Sequence, residues 1–293
     1  TVLVLPDNHT LQADDGYGPR RALRASEAKA RGLPVLRVGI LNVMPQAESY
    51  EPYLLRPLAH ASSLVEPVWI GLESHRYGSS SPAHIQQHYR IFPQAIGEAP
   101  LAGLILTGAP VEELAFEAVH YWTELSRILE FSRRNLRSTL GLCWGGLALA
   151  KLLGLEKVSY PHKLFGVFRN CSLDRAHPIT GDFDDAFLCA HSRHSGISDQ
   201  ALEEARDRGQ VNLLAHGSET GYTIFESTDR RFLMHLGHPE YEASRLVHEW
   251  QRDQGLGRRD VQRPANFDPD NPSNVWRSHR NELFSEWLRF LDE

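Results

Sequence analysis

Apolar positions in the first half of the chain recur in two patterns. Val35–Met44 (VLRVGILNVM), Leu64–Leu72, Leu101–Leu106 and Ser138–Leu142 are short runs rich in Val, Ile and Leu, continuous rather than alternating, as strands covered on both faces would be. Between them, Ala47–Ala61 and Pro82–Phe92 are compatible with helix. Ala115, Ala118, Val119, Trp122, Leu125 and Leu129 fall at intervals of mostly three and four, the stripe of an amphipathic helix lying on a sheet. Gly145–Leu153, an apolar helical run, follows the fourth strand at once. Strand and helix thus alternate through residues 35–153, which predicts an α/β, Rossmann-like fold: a doubly wound, mostly parallel sheet with helices on both faces.

The flanking segments read differently. Residues 1–34 are polar and charged apart from a short strand at Thr1–Leu5, and read as an N-terminal arm with one helix; 35–293 is then a single α/β domain. In the second half, Gln210–Ala215, Tyr222–Glu226 and Phe232–Leu236 are short strands separated by turn residues, and helices are expected near Tyr241–Gln254 and His279–Leu291. Arg258–Arg277, broken by Pro264, Pro269 and Pro272, is expected to be a long loop.

Charge and cysteine usage narrow the function. Lys plus Arg number 31 against 37 Asp plus Glu, a formal charge of −6, so no bulk positive field gathers phosphate backbone and nucleic acid is not an expected partner. No apolar run is long enough to span a membrane, and no basic segment leads into an apolar stretch at the N-terminus, so neither a membrane partner nor a secretory signal is expected. Cys143, Cys171 and Cys189 form no CxxC pair, and free thiols in a cytoplasmic setting are the simplest expectation.

The candidate chemistry centres on Gly141-Leu142-Cys143-Trp144-Gly145, between a buried strand and an apolar helix. Small residues on both sides permit the tight strand-to-helix turn that presents a nucleophile, and helix N-terminal amides nearby favour thiolate and a developing oxyanion. A buried core cysteine is the competing reading for a lone Cys; the position at the strand end and the paired glycines favour the nucleophile. A thiol needs a base and the base an orienting group, and His238-Pro239-Glu240 offers both. In extended backbone, residues i and i+2 share a side, which would put His238 and Glu240 together at a strand terminus closed by Pro239, against the competing reading of a solvated turn. A metal site is not expected, because His235 and His238, like His191 and His194, have opposite parity on a strand.

Nine short motifs occur in one order: Leu41-Asn42-Val43-Met44-Pro45, Leu106-Thr107-Gly108-Ala109-Pro110, Tyr121-Trp122, Cys143-Trp144-Gly145, Phe165-Gly166-Val167, Phe183-Asp184-Asp185, His191-Ser192-Arg193, Gly237-His238-Pro239-Glu240-Tyr241 and Trp276-Arg277-Ser278-His279. Over residues 35–291 the chain resembles the homoserine O-acyltransferase family, the acetyl and succinyl enzymes of methionine biosynthesis built on a flavodoxin-like, class I glutamine amidotransferase-like fold. The resemblance implies a Cys143, His238, Glu240 triad running ping-pong chemistry from an acyl-CoA co-substrate to an amino-acid hydroxyl, with no bound cofactor and a homodimeric enzyme. It places the oxyanion hole at the amides of Trp144 and of the Gly39–Val43 loop, and substrate contacts at Lys163, Ser192 and Arg252. A planar guanidinium suits the carboxylate of a zwitterionic amino acid. In the family the second residue after Ala-Pro separates acetyl-CoA users, with glutamate, from succinyl-CoA users, with glycine; Ala109-Pro110-Val111-Glu112 therefore points to acetyl-CoA. Where the family usually carries lysines after Met-Pro, this chain has Gln46-Ala47-Glu48-Ser49-Tyr50-Glu51, which leaves serine open as an acceptor beside homoserine, since one methylene is worth only about 1–3 kcal/mol. Succinyl-CoA as donor, glutaminase chemistry on the same Cys-His-Glu logic, and a silent binding module are the remaining alternatives.

Overall fold

The computed structural model describes residues 3–8, 22–60 and 62–293. Along these the elements are β1 (Leu3–Leu5), β2 (Ala22–Arg24), α1 (Ala25–Ala30), β3 (Leu36–Leu41), α2 (Ala47–Leu58), β4 (Val65–Gly71), α3 (Pro82–His88), β5 (Arg90–Ile91), α4 (Phe92–Glu98) and β6 (Gly103–Leu106). They continue as α5 (Trp122–Asn135), β7 (Ser138–Leu142), α6 (Trp144–Leu152), β8 (Val158–Ser172), β9 (Ala186–Gly196), α7 (Asp199–Asp207), β10 (Val211–Gly217), β11 (Gly221–Ser227), β12 (Phe232–His235), α8 (Ala243–Gly255) and α9 (Arg277–Asp292). One sheet runs β2-β1-β4-β3-β6-β7-β12-β11-β10-β8-β9, with β5 added on β4. It is parallel from β2 through β12 and antiparallel from β12 onward, so the doubly wound half ends where β12 slots in beside β7.

Both faces are covered, which is why β3, β6 and β7 could be continuous apolar runs. On one face Tyr50, Leu54 and Leu58 of α2, Leu246 of α8 and Leu283, Phe284, Trp287 and Leu288 of α9 pack on the sheet. On the other, α4, α5, α6 and α7 contribute Phe92, Leu125, Leu129, Leu147 and Leu202. Full burial of each large side chain is worth about 1.5–3 kcal/mol, so this packed face, and not intrinsic propensity, holds α9 in place. Trp287 also donates its indole N–H to Ser138 Oγ at 3.1 Å, tying α9 to the start of β7.

Four features depart from the sequence reading. The stripe beginning at Ala115 is not one helix: Phe116–Ala118 is a 3-10 turn, Ala115 and Ala118 are exposed, and α5 starts at Trp122. The expected helix at Pro82–Phe92 ends at His88, gives way to β5, and Phe92 opens a further helix with Pro93 in its first turn. The long β8–β9 hairpin and α7 were not anticipated. Ahead of residue 35 the expected strand and helix are present as β1 and α1, but β1 is joined by β2 and the two lie in parallel on the sheet edge next to β4; residues 1, 2 and 9–21 lie outside the described part. Arg258–Trp276 has no regular element, but it is pinned to β8: Ala265 N–H donates to Phe165 O and Val167 N–H to Ala265 O, each at 2.9 Å. Gly166 makes this possible, with φ +141° and Ala265 O only 2.2 Å from where a Cβ would sit.

The tightest approach in the fold is at the turn between β7 and α6. A Cβ on Gly145 would lie 2.4 Å from Leu106 O, and one on Gly141 2.6 Å from the carbonyl carbon of Gly145, so α6 sits directly on the strand ends. Gly145→Ala is expected to lose about 1–3 kcal/mol, because backbone must shift to admit the methyl. A urea midpoint that falls at unchanged m value would show this; an unchanged midpoint would refute the close packing.

Candidate active site

Cys143 is the hinge of that turn. It caps the N-terminus of α6 with φ 51° and ψ −113°, a backbone conformation unusual for a residue with a side chain, and its N–H donates to His235 O at 2.8 Å. The carboxyl end of β7 is thereby joined to the end of β12, and the residues after β12 cross in front of the thiol. His238 lies beside Cys143 in one cavity, and its Nδ1 meets Glu240 Oε1 at 2.7 Å. The three residues are therefore together. The local backbone is not the one expected: β12 ends at His235, and His238-Pro239-Glu240 form a turn rather than an extended i, i+2 pair. Tyr50 of α2 donates its hydroxyl to the same Glu240 oxygen, and Tyr241 stacks on the His238 ring at 4.0 Å and 18°.

The electrostatics follow from burial. Burial opposes charge on His238, but Cys143 and then Glu240 outweigh it and hold the imidazolium well above its ordinary range. Burial, and next the Glu112 carboxylate, push the Cys143 thiol up, while His238 pulls it down. Glu112 Oε1 stands 3.8 Å from Cys143 Sγ; its other oxygen accepts from His194 N–H at 2.6 Å, and its own ionisation is raised by burial despite that bond.

A cavity of about 320 Å³ opens over the thiol, and Lys163, Ser192, Arg252 and Glu112 all line it along with Cys143 and His238. Lys163 on β8 is buried and ion-pairs with Asp253 at 2.8 Å and Glu249 at 3.5 Å. Ser192 on β9 donates to Glu249, and Arg252 on α8 holds Asp253 at 2.7 Å with half its side chain exposed. Glu249 is thus the hub: burial alone would raise its ionisation, yet Lys163, Arg245 and His238 lower it to about 2. Tyr241 and Arg245 also meet Glu249, at 2.9 and 3.3 Å, and line the cavity. Sequence reasoning missed Tyr241, Arg245, Glu249 and Asp253. The available signal was Leu246, Glu249 and Asp253 at spacings of three and four: two acids continuing an apolar stripe.

The Gly39–Val43 amides do not face the thiol. Gly39–Leu41 lie in β3, Asn42 N–H donates to Ile70 O at 3.4 Å, and Val43 N–H to Thr107 Oγ1 at 3.0 Å. The neighbouring turn is what stands there: a Cβ on Gly108 would come within 3.6 Å of Cys143 Cβ and 3.3 Å of His238 Cε1. Among the described residues His235 and His238 diverge, one toward His279 and the other toward Cys143.

The fold is that of the class I glutamine amidotransferases. Glutamine amidotransferases of Thermotoga maritima (11% identity, 88% of this chain and 99% of the other, TM-score 0.55) and Methylobacillus flagellatus (15%, 88% and 95%, 0.52) share it. Sequence resolves the family further. A family model described as homoserine O-succinyltransferase matches residues 4–292, and enzymes named homoserine O-acetyltransferase are 36% identical in Synechococcus elongatus, over 98% of this chain and 95% of the relative, and in Lachnoclostridium phytofermentans, over 87% and 85%. The chain belongs to the homoserine O-succinyltransferase family and is an acyltransferase. Among the described residues no helix is long and apolar enough to cross a membrane.

Glu249 makes the site acid-sensitive in a defined direction. Its folded value of about 2 lies below the ordinary 4.5, so its contribution to stability is complete above about pH 4.5 and is lost as pH falls toward 2. In Glu249→Gln the slope of unfolding free energy against pH across that window should be shallower by up to about 1.4 kcal/mol per pH unit. Urea unfolding between pH 2.5 and 5 measures it, and identical slopes would disprove the assignment.

Proposed function

We propose that this enzyme transfers an acetyl group from acetyl-CoA to the side-chain hydroxyl of L-homoserine through a thioester on Cys143. In the first half-reaction the thiolate attacks the thioester carbonyl, the carbon–sulfur bond to CoA breaks, and the departing thiolate takes the proton held by His238. In the second, His238 removes the proton of the acceptor hydroxyl, its oxygen attacks the acyl carbon, and Cys143 leaves. The amide of Trp144 at the start of α6 and the Gly108 turn supply the surroundings of the oxyanion. The acceptor is a zwitterion, and the cavity suits one: Arg252 and Lys163 present positive charge, Glu249 and Asp253 negative.

The observation that carries the choice of donor is Glu112, buried 3.8 Å from the sulfur that would hold the acyl group. An acetyl methyl fits beside it; the carboxylate of a succinyl group would meet both its bulk and its charge. At about 4 Å and an effective dielectric of about 20, such repulsion is roughly 4 kcal/mol, about three decades of rate. Relatives named as acetyltransferases agree with this reading, while the family's succinyltransferase description makes succinyl-CoA the rival.

Acetyl-CoA without acceptor is expected to add one acetyl mass to the peptide containing Cys143, and Cys143→Ala to abolish it; label on Cys171 or Cys189 would overturn the proposal. His238→Ala should lose several orders of magnitude in turnover and Glu240→Gln fewer, because orientation survives when the imidazolium loses its charged partner. In Glu112→Gly the kcat/KM ratio should move toward succinyl-CoA. A wild type that already prefers succinyl-CoA, or a ratio unmoved by the substitution, would remove Glu112 from donor selection.

A further inference from the structure

We infer that His279, acting through His235, is a positioning residue that sets the place of the His238 turn; the inference rests on the acyl-transfer reading of Cys143 and His238. His279 belongs to the Trp276-Arg277-Ser278-His279 motif at the start of α9, away from the substrate cavity. His235, the last residue of β12, is bonded to Cys143 and to the residue before His238. Its carbonyl accepts the N–H of Cys143 at 2.8 Å, and its ring Nδ1 accepts the N–H of Gly237 at 3.1 Å. Gly237 precedes His238, whose own N–H donates to Ala190 O at 2.8 Å.

The Gly237 bond assigns the tautomers. A ring nitrogen that accepts from an amide carries no proton, so neutral His235 has its proton on Nε2. That nitrogen lies 3.2 Å from His279 Nε2, which must then accept, leaving the His279 proton on Nδ1. Nδ1 is buried without a hydrogen-bond partner among the described residues, an unsatisfied donor whose cost the hydrogen bond at Nε2 and the packing of the ring offset. The His279 ring is fixed instead by packing: its face lies on Phe187 at 3.9 Å and 15°, and Phe183 meets it edge-on at 5.0 Å. Burial also keeps both rings neutral, lowering His235 to about 3 and His279 well below its ordinary value. A one-way line of hydrogen bonds results, from Gly237 N–H to His235 to His279. If the acceptor at its end is lost, His235 Nε2–H keeps only the long contact to Cys189 Sγ at 4.0 Å, the preference for this tautomer weakens, and in the other tautomer an Nδ1–H would confront the Gly237 N–H and displace the turn carrying His238.

The same line decides a second reading of these residues. Cys189 Sγ and the two imidazoles lie within 4.8 Å of one another, a spacing a soft cation could bridge. A metal on His235 Nε2 needs the lone pair there and sends the ring proton to Nδ1, against Gly237 N–H. Hydrogen bonding, not ligation, is what the amide selects.

The test compares His279→Leu, which removes the acceptor, with His279→Gln, whose carbonyl oxygen can reach the place of Nε2. Nitrogen-15 NMR of histidine-labelled protein without substrate should show His235 as the Nε2–H tautomer in wild type and His279→Gln and as a changed or mixed tautomer in His279→Leu. The pH profile of Cys143 alkylation by iodoacetamide should shift in His279→Leu alone. Its kcat should fall about 10–100-fold with KM for both substrates within about twofold, and His279→Gln should recover most of the loss. An Nδ1–H tautomer at His235 in wild type, equal loss in both variants, or stoichiometric zinc uptake that depends on His279 would overturn the inference. The NMR and alkylation measurements need no acyl donor, so their failure counts against the His235–His279 line, whereas absent acylation of Cys143 counts against the acyl-transfer reading.

Discussion

The structure depends on one contact without side chains: the seating of α6 on the carboxyl ends of β6 and β7. Gly145 lies against the Leu106 and Thr107 carbonyls and Gly146 close to Gly141, so the helix begins immediately where the strand stops. The single residue between them, Cys143, is forced to positive φ, and that conformation lifts its side chain off the sheet into the crevice beyond the strand ends. The Gly108 turn and the residues after β12 then converge on a sulfur whose position is already set by backbone packing. A looser helix start would leave the His238 turn with nothing fixed to meet.

The cavity above the thiol is charged but internally neutralised. Lys163, Arg245 and Arg252 are each paired with Glu249 or Asp253, and Ser192 spends its hydroxyl on Glu249. Buried charges survive only when paired in this way, since removing one partner strands the other at a cost of about 3–5 kcal/mol. A zwitterion entering such a site exchanges partners with a network already in place, which rewards a ligand carrying both charges at the right separation and penalises one carrying a single charge. On the proposed function, selectivity among amino acids would lie in geometry more than in net charge.

How much of this was legible in the chain depends on what each segment faces. Strands β3, β4, β6 and β7 are covered on both sides and could be read as apolar runs, and Cys143 stood out because glycines flank it. The β8–β9 hairpin hid because its strands carry Pro161, His162, Lys163, Arg169 and Arg193, which break any apolar run; of these Lys163 and Arg193 are buried nonetheless, held by partners elsewhere, such as Arg193 donating to Thr220 O at 2.7 Å. His238 and Glu240 were paired through a strand argument, whereas a proline-centred turn brings them together; short spacing permits that contact in either backbone. Arg245 and Glu249 form an i, i+4 pair of a kind common on exposed helix faces, and it is Lys163 and Ser192 of the hairpin, meeting Glu249, that turn this face inward. Local sequence reports local periodicity. It does not report which polar face a distant element will cover.

The order of strands in the sheet bears on how the protein is made. Strand β7, with Cys143 following its end, must wait for β12 to take the adjacent place and for α9 to cover the layer beneath, and both are synthesised long after it. Until then β7 presents an open, apolar edge during translation, the kind of surface on which nascent chains associate wrongly or engage chaperones. The sulfur-bearing turn is accordingly among the last parts of the molecule to mature, and a chain stalled before α9 would carry the Cys143 thiol without the architecture that surrounds it.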